Sequence, residues 1–143
     1  MSIVICVVKQ NRQFYLASDL RAIRNGIAED KYQKVYEIRE KVYFGMTGIA
    51  EEGHKILADL QVNSNKTVPE LIECADSIFQ PSPKMLTIML SGEDENGDYF
   101  IWQKNHHGQI TNATINDTSI AFSISTNHNI TPFNNHLSSF LVP

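Results

Sequence analysis

The sequence holds little of what usually announces a function. Cysteine is down to two residues, Cys6 and Cys74, too few for a disulfide-stapled scaffold. Both lie in apolar surroundings, so buried free thiols are expected. Basic residues are in the minority, twelve Lys and Arg against sixteen Asp and Glu for a formal charge of −4. That balance argues against an extended nucleic-acid footprint or an anionic-membrane footprint. No apolar run approaches the roughly 20 residues of a membrane-spanning helix. Ile3 to Val8 is apolar, but it is short and lacks the basic flank of a signal peptide, so it reads as a strand. A cytoplasmic chain is expected, and the Asn-X-Thr triplets at Asn112, Asn116 and Asn129 then carry no weight. There is no internal repeat and no linker-like stretch. The length suits one domain, 1–143, around one core.

What is present is a change of period along the chain. Ile3 to Val8 is a β-branched run of the kind a strand buried on both faces shows. Lys9 to Gln13 turns, and Phe14 to Ser18 is a second strand stopped by Asp19. Asn25-Gly26 is a turn signal within a polar stretch. Lys34 to Ile38 and Lys41 to Phe44 are two further strands, the second ended by Gly45 and Gly48 on either side of Met46-Thr47. The period then becomes helical. Ile49, Ile56, Leu57 and Leu60 share one face, with Glu51 and Glu52 in the first turn against the helix dipole. After a polar break, Thr67-Val68-Pro69-Glu70 is a capping box, and Leu71, Ile72, Ala75, Ile78 and Phe79 give a second apolar stripe. Pro81 and Pro83 end it. Strands resume at Met85 to Leu90 and Tyr99 to Gln103, around the hairpin signal Asn96-Gly97, and again at Gln109 to Ala113 and Ser119 to Ser125. Strand blocks on either side of a helical pair indicate an α+β fold, with antiparallel sheets layered on helices.

Three segments carry chemistry. Phe14-Tyr15-Leu16-Ala17-Ser18-Asp19-Leu20-Arg21-Ala22 puts an Asp and an Arg just past a strand. Asp30-Lys31-Tyr32-Gln33-Lys34-Val35-Tyr36-Glu37-Ile38 puts Lys34 at the start of another. Val42-Tyr43-Phe44-Gly45-Met46-Thr47-Gly48 runs from a strand into a helix. In this order and at these separations they resemble the N-terminal-nucleophile hydrolases, in particular the β-type subunits of the proteasome and the bacterial HslV-type peptidase. The likeness covers roughly residues 2 to 62 well, and the Met85 to Ser125 region only in strand order. It implies an αββα sandwich, here shortened at the C-terminal end. It also implies a threonine/serine-type endopeptidase acting on a peptide or protein, and assembly into a homo-oligomer such as a ring or stacked rings.

Carried over position by position, the resemblance makes Ser2 the nucleophile once Met1 is removed. Asp19 becomes the structural and electrostatic aspartate, Lys34 the active-site lysine, and the Gly48 N–H the oxyanion donor. Arg21 and Ser125 are possible supporting residues. The residue types suit the chemistry. A serine hydroxyl needs a base, and a free α-amine with a pKa of about 8 is one at neutral pH. An ammonium beside that amine keeps it neutral, and a carboxylate holds the ammonium in place. Ile23 departs from the family pattern, which has threonine there, and no counterpart is found for the family's later supporting aspartate and serine.

Other readings stand beside this one. Asp19 taken alone ends a strand, Lys34 taken alone is a solvated strand-edge lysine, and the glycines taken alone make a plain turn. The alternative function is a non-catalytic proteasome-like subunit used in assembly or interaction. No cofactor and no metal are expected: His106-His107 sits at a turn without a third ligand, and the acidic tip Glu93, Asp94, Glu95 and Asp98 lacks a calcium-loop pattern and reads as a solvated loop.

Overall fold

The computed structural model describes residues 4–9, 13–20, 22–24, 26–29, 32–79, 86–115 and 120–124. The first block of strands is β1 (Val4–Lys9), β2 (Gln13–Ser18), β3 (Ala22–Arg24), β4 (Ile27–Glu29), β5 (Val35–Arg39) and β6 (Val42–Gly48). Two helices follow, α1 (Ala50–Val62) and α2 (Val68–Ile78). The second block is β7 (Leu86–Glu93), β8 (Tyr99–Lys104), β9 (Ile110–Ile115) and β10 (Ile120–Ile124). All pairings are antiparallel: a five-stranded sheet β5-β6-β7-β8-β9, a three-stranded sheet β10-β1-β2, and the small hairpin β3-β4. The α+β class holds.

Strand alternation sorts the five-stranded sheet into two faces. Phe44, Met46, Ile88, Leu90, Phe100 and Trp102 turn toward Ile56, Leu57 and Leu60 of α1 and Leu71 and Ala75 of α2. Met89 and Ile101 turn the other way, toward Val4 and Cys6 of β1, with Phe14, Leu16, Val35 and Tyr99 packed at the margin. Phe14 stacks at 5.9 Å on Tyr43 and at 5.8 Å on Tyr99. The layers are therefore three-stranded sheet, five-stranded sheet, helical pair. Each fully buried Leu, Ile or Phe contributes roughly 1.5–3 kcal/mol, and Phe44, Leu60, Leu71 and Ile88 all reach that limit. Among the described residues one helical layer is found, where an αββα sandwich has two.

Several local expectations are refined. The polar stretch around Gly26 is a turn, as its φ of 78° shows, but short paired strands flank it. Ile49 is the N-cap of α1 and 39% exposed, so it lies outside the apolar stripe its spacing suggested. Thr67 does cap α2: its hydroxyl accepts from Glu70 N–H at 3.3 Å and donates to the Glu70 carboxylate at 2.8 Å. Both cysteines are free, but only Cys6 is buried, and Cys74 is half-buried. Burial pushes the Cys6 thiol up to about 12, against a smaller pull from the Ser91 hydroxyl. Burial, and then the Asp59 carboxylate that accepts its S–H, push the Cys74 thiol up to about 11.

The acidic β7–β8 tip is a correction. Asp94 Oδ1 accepts from the N–H groups of Asn96 and Asp98, closing the turn. Glu95 reaches across to α2, where it accepts from Val68 N–H at 2.6 Å and from Arg39 at 2.8 Å. Arg39 also donates to the carbonyls of Ser64 and Lys66. Partial burial works to raise the Glu95 carboxyl, but hydrogen bonds from its own N–H, Val68 N–H and Arg39 outweigh it and hold the carboxyl below its ordinary value. The tip is a clamp on the helical layer because a helix N-terminus welcomes a carboxylate.

A second clamp sits where the β5–β6 turn meets β7. Lys41 has a φ of 68°, and its carbonyl accepts from Glu93 N–H at 2.8 Å. Gly92 opposite has a φ of 141°, and a Cβ there would lie 1.9 Å from the Lys41 carbonyl oxygen. Gly92→Ala is expected to destabilise the chain by about 2–4 kcal/mol, since backbone must move. Lys41→Gly is expected to stabilise it by about 0.5–1 kcal/mol by relieving the left-handed backbone. Urea midpoints at unchanged m-value check both.

Candidate active site

The strand registers bring one end of each sheet to the same place. Val4 pairs with Ser18, so the start of β1 lies beside the end of β2 that leads into Asp19. Val35 pairs with Gly45, and Met46 N–H donates to Lys34 O at 3.0 Å, so Lys34 sits beside the last residues of β6. Between the sheets, Val4 fits against Gly45: a Cβ on Gly45 would stand 3.0 Å from Val4 Cγ1. Glycine there lets the two sheets approach. Tyr32 N–H donates to Leu20 O at 2.7 Å, tying the segment after Asp19 to the segment before Lys34.

Lys34 is 3% exposed, which excludes the solvated strand-edge reading. Its Nζ lies 2.8 Å from Asp19 Oδ2, and the Asp19 side chain keeps 27% of its surface. An ammonium so enclosed needs a carboxylate, because unpaired burial of a charge is strongly unfavourable. The pair is neutral overall, an enclosed ammonium against a partly exposed carboxylate. Such an arrangement can hold a neighbouring amine neutral or stabilise a developing negative charge.

Gly48 ends β6 at this same end, with a φ of 101° that suits glycine, and pairs with Leu86. The expected turn across Gly45 to Gly48 is corrected. The strand continues through all four residues, and the chain leaves it only at Ile49 before entering α1. The hydrogen-bond ladder to β7 overrides the breaker character of the two glycines, one of which is needed for Val4. Ser2, Arg21 and Ser125 lie outside the described residues.

Two threonines that no sequence motif singles out join the neighbourhood. Thr47 and Thr87 face each other across β6 and β7, both buried, on the face that carries Gly45 and Met89. The Thr87 hydroxyl has no hydrogen-bond partner among the described residues. The one sign in the sequence is a hydroxyl placed between Leu86 and Ile88 in a strand otherwise apolar to Leu90.

Elsewhere, the His106 and His107 rings lie with centroids 4.0 Å apart and planes tilted by 40°. Burial, then the neighbouring His107, lower the pKa of His106. Among the described residues no group of three or more His, Cys, Asp or Glu is gathered for a metal ion. No helix among them is long and apolar enough to cross a membrane. No protein-family model matches the sequence, and comparison with curated proteins finds no match.

The ion pair predicts an asymmetry. Asp19→Ala takes the carboxylate from a buried ammonium and is expected to cost about 3 kcal/mol, the lower end of the range for buried pairs because Asp19 is partly exposed. Lys34→Met keeps the remaining charge on the partly exposed carboxylate, within reach of water, and is expected to cost less than about 1 kcal/mol. Equal losses in chemical denaturation would contradict this account of the pair.

Proposed function

We propose that the chain is an amide-bond hydrolase of the N-terminal-nucleophile type, proteasome-like in architecture, with Ser2 as nucleophile after removal of Met1. The observation that carries this reading is the buried Lys34–Asp19 pair, lying at the end of the sandwich where β1 begins. Sheet-on-sheet packing with helices outside one sheet supports the αββα assignment for three of its four layers. The end of β6 at Gly48 supports an oxyanion contact at the same end.

In this mechanism the Ser2 hydroxyl attacks the carbonyl carbon of the scissile amide. Its proton passes to the α-amine of the same residue, a base of pKa about 8 in isolation. The Lys34 ammonium lowers that value and keeps the amine unprotonated before attack. The tetrahedral oxyanion takes the Gly48 N–H, a contact worth roughly 3–4 kcal/mol in comparable sites. Collapse breaks the C–N bond, the α-ammonium returns its proton to the leaving amine, and water then cleaves the Ser2 ester by the reverse roles. The substrate is a peptide or protein, and self-assembly into a ring or stacked rings belongs to the same proposal.

Intact-protein mass spectrometry, with and without a peptide vinyl sulfone, tests it. The expected result is loss of Met1 and a single adduct on Ser2, absent in Ser2→Ala. In Lys34→Ala adduct formation should slow by about 10²-fold or more, the scale of a lost acid–base contribution. Retained Met1 without an adduct would sink the hydrolase and leave the non-catalytic subunit.

A further inference from the structure

We propose that His54 is a positioning residue for Lys34, acting through Tyr32; the catalytic half of this inference rests on the hydrolase reading above. Lys34 is presented by a short segment outside any regular strand, residues 32–34. Four hydrogen bonds are among those that hold it. Tyr32 N–H donates to Leu20 O at 2.7 Å, and Lys34 O accepts from Met46 N–H at 3.0 Å. The Gln33 amide donates to Val35 O at 2.7 Å, and the Tyr36 hydroxyl donates to Gln33 O at 2.9 Å. Every one of these stays within the sheets and their connections. A further hydrogen bond reaches the helical layer: the Tyr32 hydroxyl with His54 Nε2, at 2.8 Å.

His54 is placed for this role. It follows Gly53 on α1, where the helix lies so close to β6 that a Cβ would stand 2.3 Å from Met46 Sδ. Its ring stands edge-on to Tyr32 at 6.2 Å and to Tyr36 at 5.8 Å, the residues two before and two after Lys34. One imidazole therefore braces both flanks of the lysine against α1. His54 itself is exposed and stands outside the buried core cluster. Moving that segment moves Lys34 relative to Asp19 and to the start of β1, and a displacement of an ångström at such a site is enough to cost rate.

Two readouts separate positioning from catalysis. The first is the acylation rate of Lys34 by sulfo-N-hydroxysuccinimide acetate, followed by peptide mass spectrometry, with buried Lys104 as the internal standard. In Tyr32→Phe and His54→Ala the Lys34 rate is expected to rise about five-fold, the scale of one hydrogen bond, with Lys104 unchanged. Combining the two should add nothing further, as residues on one path behave, and His54→Gln, which keeps a hydrogen-bonding group, should restore protection. The second readout is the rate of Ser2 labelling by the vinyl sulfone, which should fall and recover in the same variants. Unchanged Lys34 acylation in both single variants overturns the positioning role, whatever Ser2 does. An altered Lys34 rate with no labelling of Ser2 in the unmutated protein overturns the hydrolase reading and the catalytic half of this one.

Discussion

A lysine with 3% of its surface exposed imposes conditions on everything around it. Its ammonium must find a carboxylate within hydrogen-bond reach, and that carboxylate comes from the other sheet. The pairing therefore fixes how the two sheets meet at this end. It goes with a close approach of β1 to β6, which a residue without a side chain at Gly45 favours. The ion pair and the glycine are two parts of one constraint: the sheets come close enough for Val4 to fill the space, and the charge they enclose is neutralised.

The strand that serves both neighbours is β6. Phe44 and Met46 on one face hold the helices, while Gly45 and Thr47 on the other face the three-stranded sheet. Its backbone takes the Lys34 carbonyl on one side and pairs with β7 on the other. At the far end of the same sheet, Glu95 and Arg39 tie the β7–β8 tip to the start of α2. A second buried lysine, Lys104, meets Asp76 of α2 at 2.6 Å and lies 5.1 Å from the centre of the Phe79 ring. The helical layer is thus fastened by polar contacts at both ends of the sheet and by apolar contacts between them.

Much of this is legible in the sequence where the signal is local. Strand period, most of the two helical stripes and the Thr67 cap depend on neighbours a few residues away, and these appear as read. The union of Asp19 with Lys34 was legible only through resemblance, because nothing local says that residues fifteen apart should meet. Features set by distant partners were not legible. Gly45 and Gly48 look like the end of a strand, yet the ladder to β7 runs through them. Glu95 looks like a solvated acid in an acidic loop until the Val68 N–H is brought to it. Ile49 keeps helical spacing with Ile56, but it precedes the first turn and the spacing means nothing there. His54 gives no sign of its tyrosine partners, because they come from a different layer.

The same ion pair serves two demands that pull in different directions. For stability, Lys34 and Asp19 should cancel as fully as possible. For the proposed chemistry, Lys34 must still present positive charge to the amine of Ser2. Both are met if the amine lies nearer the ammonium than the carboxylate, since Coulomb attraction and repulsion fall with distance and the nearer charge dominates. Asp19 is also the more exposed partner, so water screens its field more than that of the enclosed lysine. A pair that is balanced overall can then be positive on its protein side and negative on its solvent side. What decides the balance is the direction of the Lys34 side chain, and that direction is set by the segment before β5. Contacts that hold residues 32–34 therefore bear on the electrostatics of the site even though none of them carries charge to it.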